Sequence, residues 1–160
     1  MEIREATESD WPCIWPIFRA VVGTSDTFAY APDTPEDEAR RFWTAAPARP
    51  YVAVDAGEVV GTYYLRPVQP GLGSHVANAG FMVASAASGR GFGRALGTHA
   101  LAEARRLGYA AMQFNFVVST NERAVRLWQS LGFAIIGTVP GAFRHRVHGP
   151  VPVYIMYRAL

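Results

Sequence analysis

The chain has 160 residues, half of them hydrophobic and 18% charged, which suits one folded domain with its own core and excludes an intrinsically disordered chain. Its 15 basic residues other than histidine are all arginine, and the lack of lysine excludes a Walker-type phosphate loop, which needs one. The formal charge of +2 hides an asymmetry: nine of the thirteen acids lie in the first 38 residues, and after Glu58 ten arginines face two acids, a balance suited to a polyanionic partner.

Glu2 to Ala6 reads as a short strand. Thr7-Glu8-Ser9-Asp10 supplies N-cap residues for a helix over Trp11 to Val22, closed by Gly23. The single Cys13 falls in the apolar run Trp11 to Trp15. It is expected to pack rather than react, and a lone thiol suits a reducing compartment. Thr24 to Pro32 forms a loop carrying Phe28 and Tyr30, and Asp33-Thr34-Pro35-Glu36 opens a second helix to about Thr44. Tyr51 to Val54 and Val59 to Leu65 flank the turn Asp55-Ala56-Gly57 as a hairpin. His75 to Ala84 reads as a strand, Gly91 to Leu107 as a helix ended by Gly108, and Ala111 to Val118 as another strand. Asn121 to Leu131 carries apolar residues at 124, 127, 128 and 131, the spacing of one buried helix face. Ala134 to Val139 and Val153 to Leu160 read as strands flanking a Gly/Pro-rich loop. The sum is one α/β (α+β) domain over residues 1–160, a mixed central sheet of about seven strands with about four helices. No basic n-region followed by an apolar stretch opens the sequence and no apolar run reaches membrane-spanning length. A cytoplasmic protein without membrane contact is therefore expected.

Ser88-Gly89-Arg90-Gly91-Phe92-Gly93-Arg94 joins a strand to a helix. Glycines let backbone amides approach an anion, the helix N-terminus adds attraction for phosphate, and Arg90 and Arg94 bring charge. A Rossmann loop would need a parallel βαβ unit and an acid about 20 residues on. Here an antiparallel hairpin precedes the loop, and residues 109–119 carry no acid.

The loop, after Met82-Val83, and the later run Asn121-Glu122-Arg123-Ala124-Val125-Arg126-Leu127-Trp128-Gln129-Ser130-Leu131-Gly132-Phe133 together resemble the Gcn5-related N-acetyltransferase (GNAT) superfamily. The resemblance covers nearly the whole chain and implies the acyl-CoA N-acyltransferase fold, with a V-shaped splay between the fourth and fifth strands. It implies acetyl-CoA as co-substrate and no metal. By the resemblance, Phe81, Met82 and Val83 pair with the pantetheine arm. Gly89, Arg90, Gly91, Phe92, Gly93 and Arg94 hold the pyrophosphate, and Asn121 bonds the pantetheine. Asn121 is equally placed to cap its own helix. Ser88 stands where Arg or Gln is usual, and Arg90 is the expected substitute.

Two further departures bear on chemistry. Relatives often carry a basic carboxylate where this chain has Asn78, and a tyrosine proton donor where it has Trp128. An amide is no base at neutral pH. Asn78 and Asn115, on the two splaying strands, instead suit an acceptor carboxylate, pointing to a small amino or imino acid. The strings Phe114 to Asn121, Leu127 to Phe133 and Gly137 to His145 are similar to the fungal azetidine-2-carboxylate N-acetyltransferases, and more distantly the chain looks like the phosphinothricin acetyltransferases. Phe28, Tyr30 and His145 are candidate acceptor contacts, and Tyr154 is the candidate donor to the departing thiolate. Nucleic acid is not an expected partner, and a homodimer stays open. The alternatives are acetylation of protein or peptide amines, and a CoA-binding regulatory domain without turnover.

Overall fold

The computed structural model describes residues 1–160. In chain order the elements are β1 (Glu2–Glu5), α1 (Trp11–Gly23), α2 (Glu36–Thr44), β2 (Arg49–Asp55), β3 (Glu58–Pro67), β4 (Val76–Val83), α3 (Phe92–Arg106), β5 (Ala111–Val118), α4 (Glu122–Ser130), β6 (Ala134–His145) and β7 (Gly149–Ala159). The strands form one sheet in the order β1-β2-β3-β4-β5-β7-β6. Every neighbouring pair is antiparallel except β4 and β5. The expected mixed sheet of seven strands with four helices is present.

Two apolar cores sandwich the sheet. Trp11, Ile14, Phe18 and Val22 of α1 recur at helical spacing and pack with Trp43 of α2 against Val52, Tyr64 and Met82. Leu96, Ala100 and Leu101 of α3 and Trp128 of α4 cover the other face, over Tyr63, Leu65, Met112 and Phe114. Cys13 belongs to neither: the helical period that turns Trp11, Ile14 and Ile17 inward leaves it exposed, so the expected packing thiol is not found. The buried Trp43 indole donates to the Thr62 hydroxyl at 2.9 Å, which donates to the Tyr51 carbonyl, so this polar pair meets its partners inside the core.

The Gly/Pro-rich segment is mostly strand, not loop. β6 continues to His145, and β7 begins at Gly149. The ladder absorbs Pro140 and Gly141 by a register shift between Val139 and Phe143 on the outermost strand, where a missing N–H costs least. No helix is long and apolar enough to cross a membrane.

β4 and β5 pair only at Val76–Ala111 and Ala77–Met112, and then they part. The Val68 amide bonds the Val76 carbonyl, and the Ala84 amide bonds Val60. With the intervening register, the even-numbered residues of β4 exchange their bonds with β3. Ala79, Phe81 and Val83 therefore turn N–H and C=O into the gap that β5 has left.

Candidate active site

The gap opens into a cleft of about 800 Å³ bounded by β3, β4, β5, the glycine loop, α4 and the loop before α2. At one end, Gly89 and Gly91 have φ of +83° and +86°, a backbone state that side chains with a Cβ rarely adopt. The first helical bond of α3 runs from the Ala95 amide to the Gly91 carbonyl. The amides of Gly89, Gly91, Phe92, Gly93 and Arg94 bond no protein acceptor, so five donors converge at a helix N-terminus.

Arg94 and Arg123 border this end. Arg123 donates to the Ser88 hydroxyl at 3.0 Å, and Arg94 to the Ser130 hydroxyl at 2.8 Å. Arg90 does not line the cleft. Its guanidinium pairs with Asp55 at 3.1 Å and lies over the Phe92 ring. The charge beside Ser88 thus comes from Arg123, two residues after the helix cap, and not from Arg90. The sequence signal was its place within the second motif, two residues after Asn121.

Asn121 caps α4, its Oδ1 accepting from the Ala124 amide at 3.3 Å. That leaves its Nδ2 uncommitted on a residue that lines the cleft. Trp128 lines it too, wedged among Phe81, Phe114 and Phe133. Phe81, Met82 and Val83 all border the space, but the backbone of Met82 faces β3 and its side chain is buried in the core of α1 and α2.

At the opposite end stand Phe28, Tyr30, Tyr64, Arg66, Asn78, Asn115 and Phe116. Asn78 is committed: its Nδ2 donates to the Gln113 carbonyl at 3.0 Å, and its Oδ1 accepts from the Tyr64 hydroxyl at 3.4 Å. It staples the point where the strands part. Asn115 is exposed, and its Oδ1 accepts from Gln113 Nε2 at 2.8 Å, leaving its own Nδ2 unengaged. A register shift between Phe114 and Val117 frees Asn115 and Phe116 from the β7 ladder.

The Tyr64 ring lies against Gly80, so close that a Cβ there would sit 2.7 Å from it. Burial pushes the Tyr64 and Tyr30 phenols above their ordinary range, with Arg66 opposing the shift at both. Both hydroxyls are therefore neutral donors at physiological pH.

Two expected site residues lie elsewhere. Tyr154 sits on β7 opposite Val117 and packs on the larger core without lining the cleft. His145 ends β6, outside the cleft lining. Its Nδ1 accepts from the Val147 and His148 amides, which puts the ring proton on Nε2, 3.3 Å from Asp26. With Arg146, 2.9 Å from the same carboxylate, it ties the loop bearing Phe28 and Tyr30 to the β6–β7 hairpin. Tyr64 and Arg66 take the places sequence reasoning missed. Both lie on β3, and no motif marks them.

The acetyltransferase (GNAT) family model matches residues 5–133. The structure of a GCN5-related N-acetyltransferase from Kribbella flavida is 50% identical, with a TM-score of 0.95 over 99% of this chain and 97% of that one. The ribosomal-protein-alanine N-acetyltransferase of Brucella melitensis is 26% identical, with a TM-score of 0.85 over the full length of both. N-acetyltransferase aca1 of Schizosaccharomyces pombe is 38% identical over 98 residues, 61% of this chain and 47% of that protein. The chain thus spans about half the length of that curated relative.

Proposed function

The chain belongs to the acetyltransferase (GNAT) family, and from that membership we propose that it transfers the acetyl group of acetyl-CoA to the amine of a small amino or imino acid. The observation that carries this reading is the splay of β4 from β5. It leaves a cleft with unpaired strand groups along one wall, free amides at one end and no Asp, Glu or His in its lining.

The residues fit acetyl-CoA. Phe81 and Val83 offer an amide-bearing arm the N–H and C=O groups an added strand would use. The amides of Gly89 and of Gly91 to Arg94, with Arg94 and Arg123, suit a pyrophosphate. Asn121 offers its free Nδ2 to the arm between. When bound, acetyl-CoA supplies an acyl group activated as a thioester.

The protein's part is to hold an amine against that group. As the nitrogen–carbon bond forms and the carbon–sulfur bond breaks, the nitrogen loses one proton and the sulfur gains one. With no Asp, Glu or His in the lining and its arginines already protonated, the amine's proton leaves to water. Tyr64, a neutral phenol within the cleft whose proton is held by Asn78 in the protein alone, replaces Tyr154 as the candidate donor to sulfur.

Thiol release from acetyl-CoA, measured against free amino acids, proline analogues, phosphinothricin and peptides beginning with alanine, tests the reading. It predicts turnover with a small free acid and a product heavier by one acetyl group. Turnover with peptides alone would move the acceptor to proteins, and CoA binding without thiol release would make the cleft a binding site only.

A further inference from the structure

We propose that Arg66 forms the carboxylate subsite of the acceptor end, selecting α-amino or α-imino acids over their neutral counterparts. This rests on the cleft being an amine acetyltransferase site, and it names the group that decides which amines enter.

Arg66 stands on β3 directly across from Asn78, on the same strand face as Tyr64. Its guanidinium lies over the Tyr64 ring, 4.7 Å from the centroid, and Nη2 is 3.4 Å from the Tyr64 hydroxyl. That neutral phenol is its only protein partner. Arg4, Arg41, Arg90, Arg106, Arg126 and Arg146 each pair with a carboxylate within 4.0 Å, and Arg66 with none. It is also half-buried in a cleft whose lining holds no acid to balance it. Arg66 therefore keeps most of its N–H donors unused, in the fork geometry that a carboxylate accepts in parallel.

Its position separates this charge from the phosphate end. Asn78 and Val83 are five strand residues apart, about 16 Å along β4, and the glycine loop lies beyond Val83. Arg94 and Arg123 serve that end, so one cleft carries cations at both ends with an apolar middle of Phe81, Phe114 and Trp128. A substrate with its carboxylate on Arg66 has its α-nitrogen near Asn78 and Asn115, where the strands part. Gly80 makes room for the ring that supports the guanidinium.

The test compares each proteinogenic amino acid, and azetidine-2-carboxylate, with its own carboxamide in the wild type, Arg66→Gln and Arg66→Lys. The wild type should prefer the acid. Arg66→Gln should raise the acid's KM about 10- to 100-fold, the loss expected of a hydrogen bond to a charged group. The carboxamide's KM and that of acetyl-CoA should stay unchanged, and Arg66→Lys should recover part of the acid preference. Equal use of acid and carboxamide by the wild type, or equal losses for both in Arg66→Gln, overturns the subsite while leaving the acetyltransferase reading intact. Turnover with peptides and no small amine overturns both.

Discussion

Ser88 is small and neutral in a loop that borders two arginines, and Arg90, its neighbour in sequence, behaves differently from Arg123, its neighbour in space. Arg90 spends its charge on Asp55 in a largely exposed pair, while Arg123 reaches the loop from α4. Arg123→Ala should therefore weaken CoA binding by about tenfold or more, the scale of a lost charge-assisted bond. Arg90→Ala should change it little, since exposed ion pairs contribute about 0–1 kcal/mol. Titration calorimetry with CoA separates the two variants, and a reversed order would return the role to Arg90. Residues placed by backbone pattern were legible in the sequence: the glycine loop, Asn121 and Trp128 follow from spacing within the two motifs. Arg123, Arg66 and Tyr64 were not, because their importance comes from which side chains meet across the splay. The same blindness placed Tyr154 and His145 in the site: Tyr154 packs on the larger core, and His145, read as part of a loop, ends the outermost strand with its ring on Asp26.

Among the elements, the β2–β3 hairpin shows most directly how local sequence dictates form. Asp55 pairs with Glu58, so the turn is Ala56-Gly57 alone, with φ of +50° and +85°. Two positive values define the turn that matches strand twist, and asparagine tolerates the first far better than alanine. Ala56→Asn should raise stability by up to about 1 kcal/mol, seen as a higher Tm with CoA affinity unchanged. A lower Tm would mean that the turn takes another form. Strand and helix order was fully legible here, because turn residues and apolar periods punctuate the chain. The β6–β7 hairpin was not, since Pro140, Gly141, Gly149 and Pro150 read locally as loop. Pairing across the sheet overrides that reading by placing the irregular residues at the sheet's edge or its hairpin end.

For the whole molecule, charge links distant parts of the fold. Two hydrogen bonds from Arg106 and one from Tyr51 hold the Glu103 carboxyl down to about 2, and Arg4, with help from Thr7, depresses Asp10. A carboxyl held below its unfolded value stabilises the fold above that value and loses the contribution as pH falls through the folded one. Thermal melts should thus show stability falling as pH drops from about 4.5 to about 2. Glu103→Gln should be less stable at neutral pH and should flatten that limb, and an unchanged limb would put the acid sensitivity elsewhere. The proposed function requires the splay of β4 from β5 to form one acetyl-CoA site from strand edge to glycine loop. Amide hydrogen exchange with and without acetyl-CoA tests it most directly. Acetyl-CoA should bring new protection to Phe81, Val83, Gly89 and Gly91 to Arg94, whose amides bond nothing in the protein alone. Binding that leaves those amides unprotected, or protects another surface instead, would contradict it.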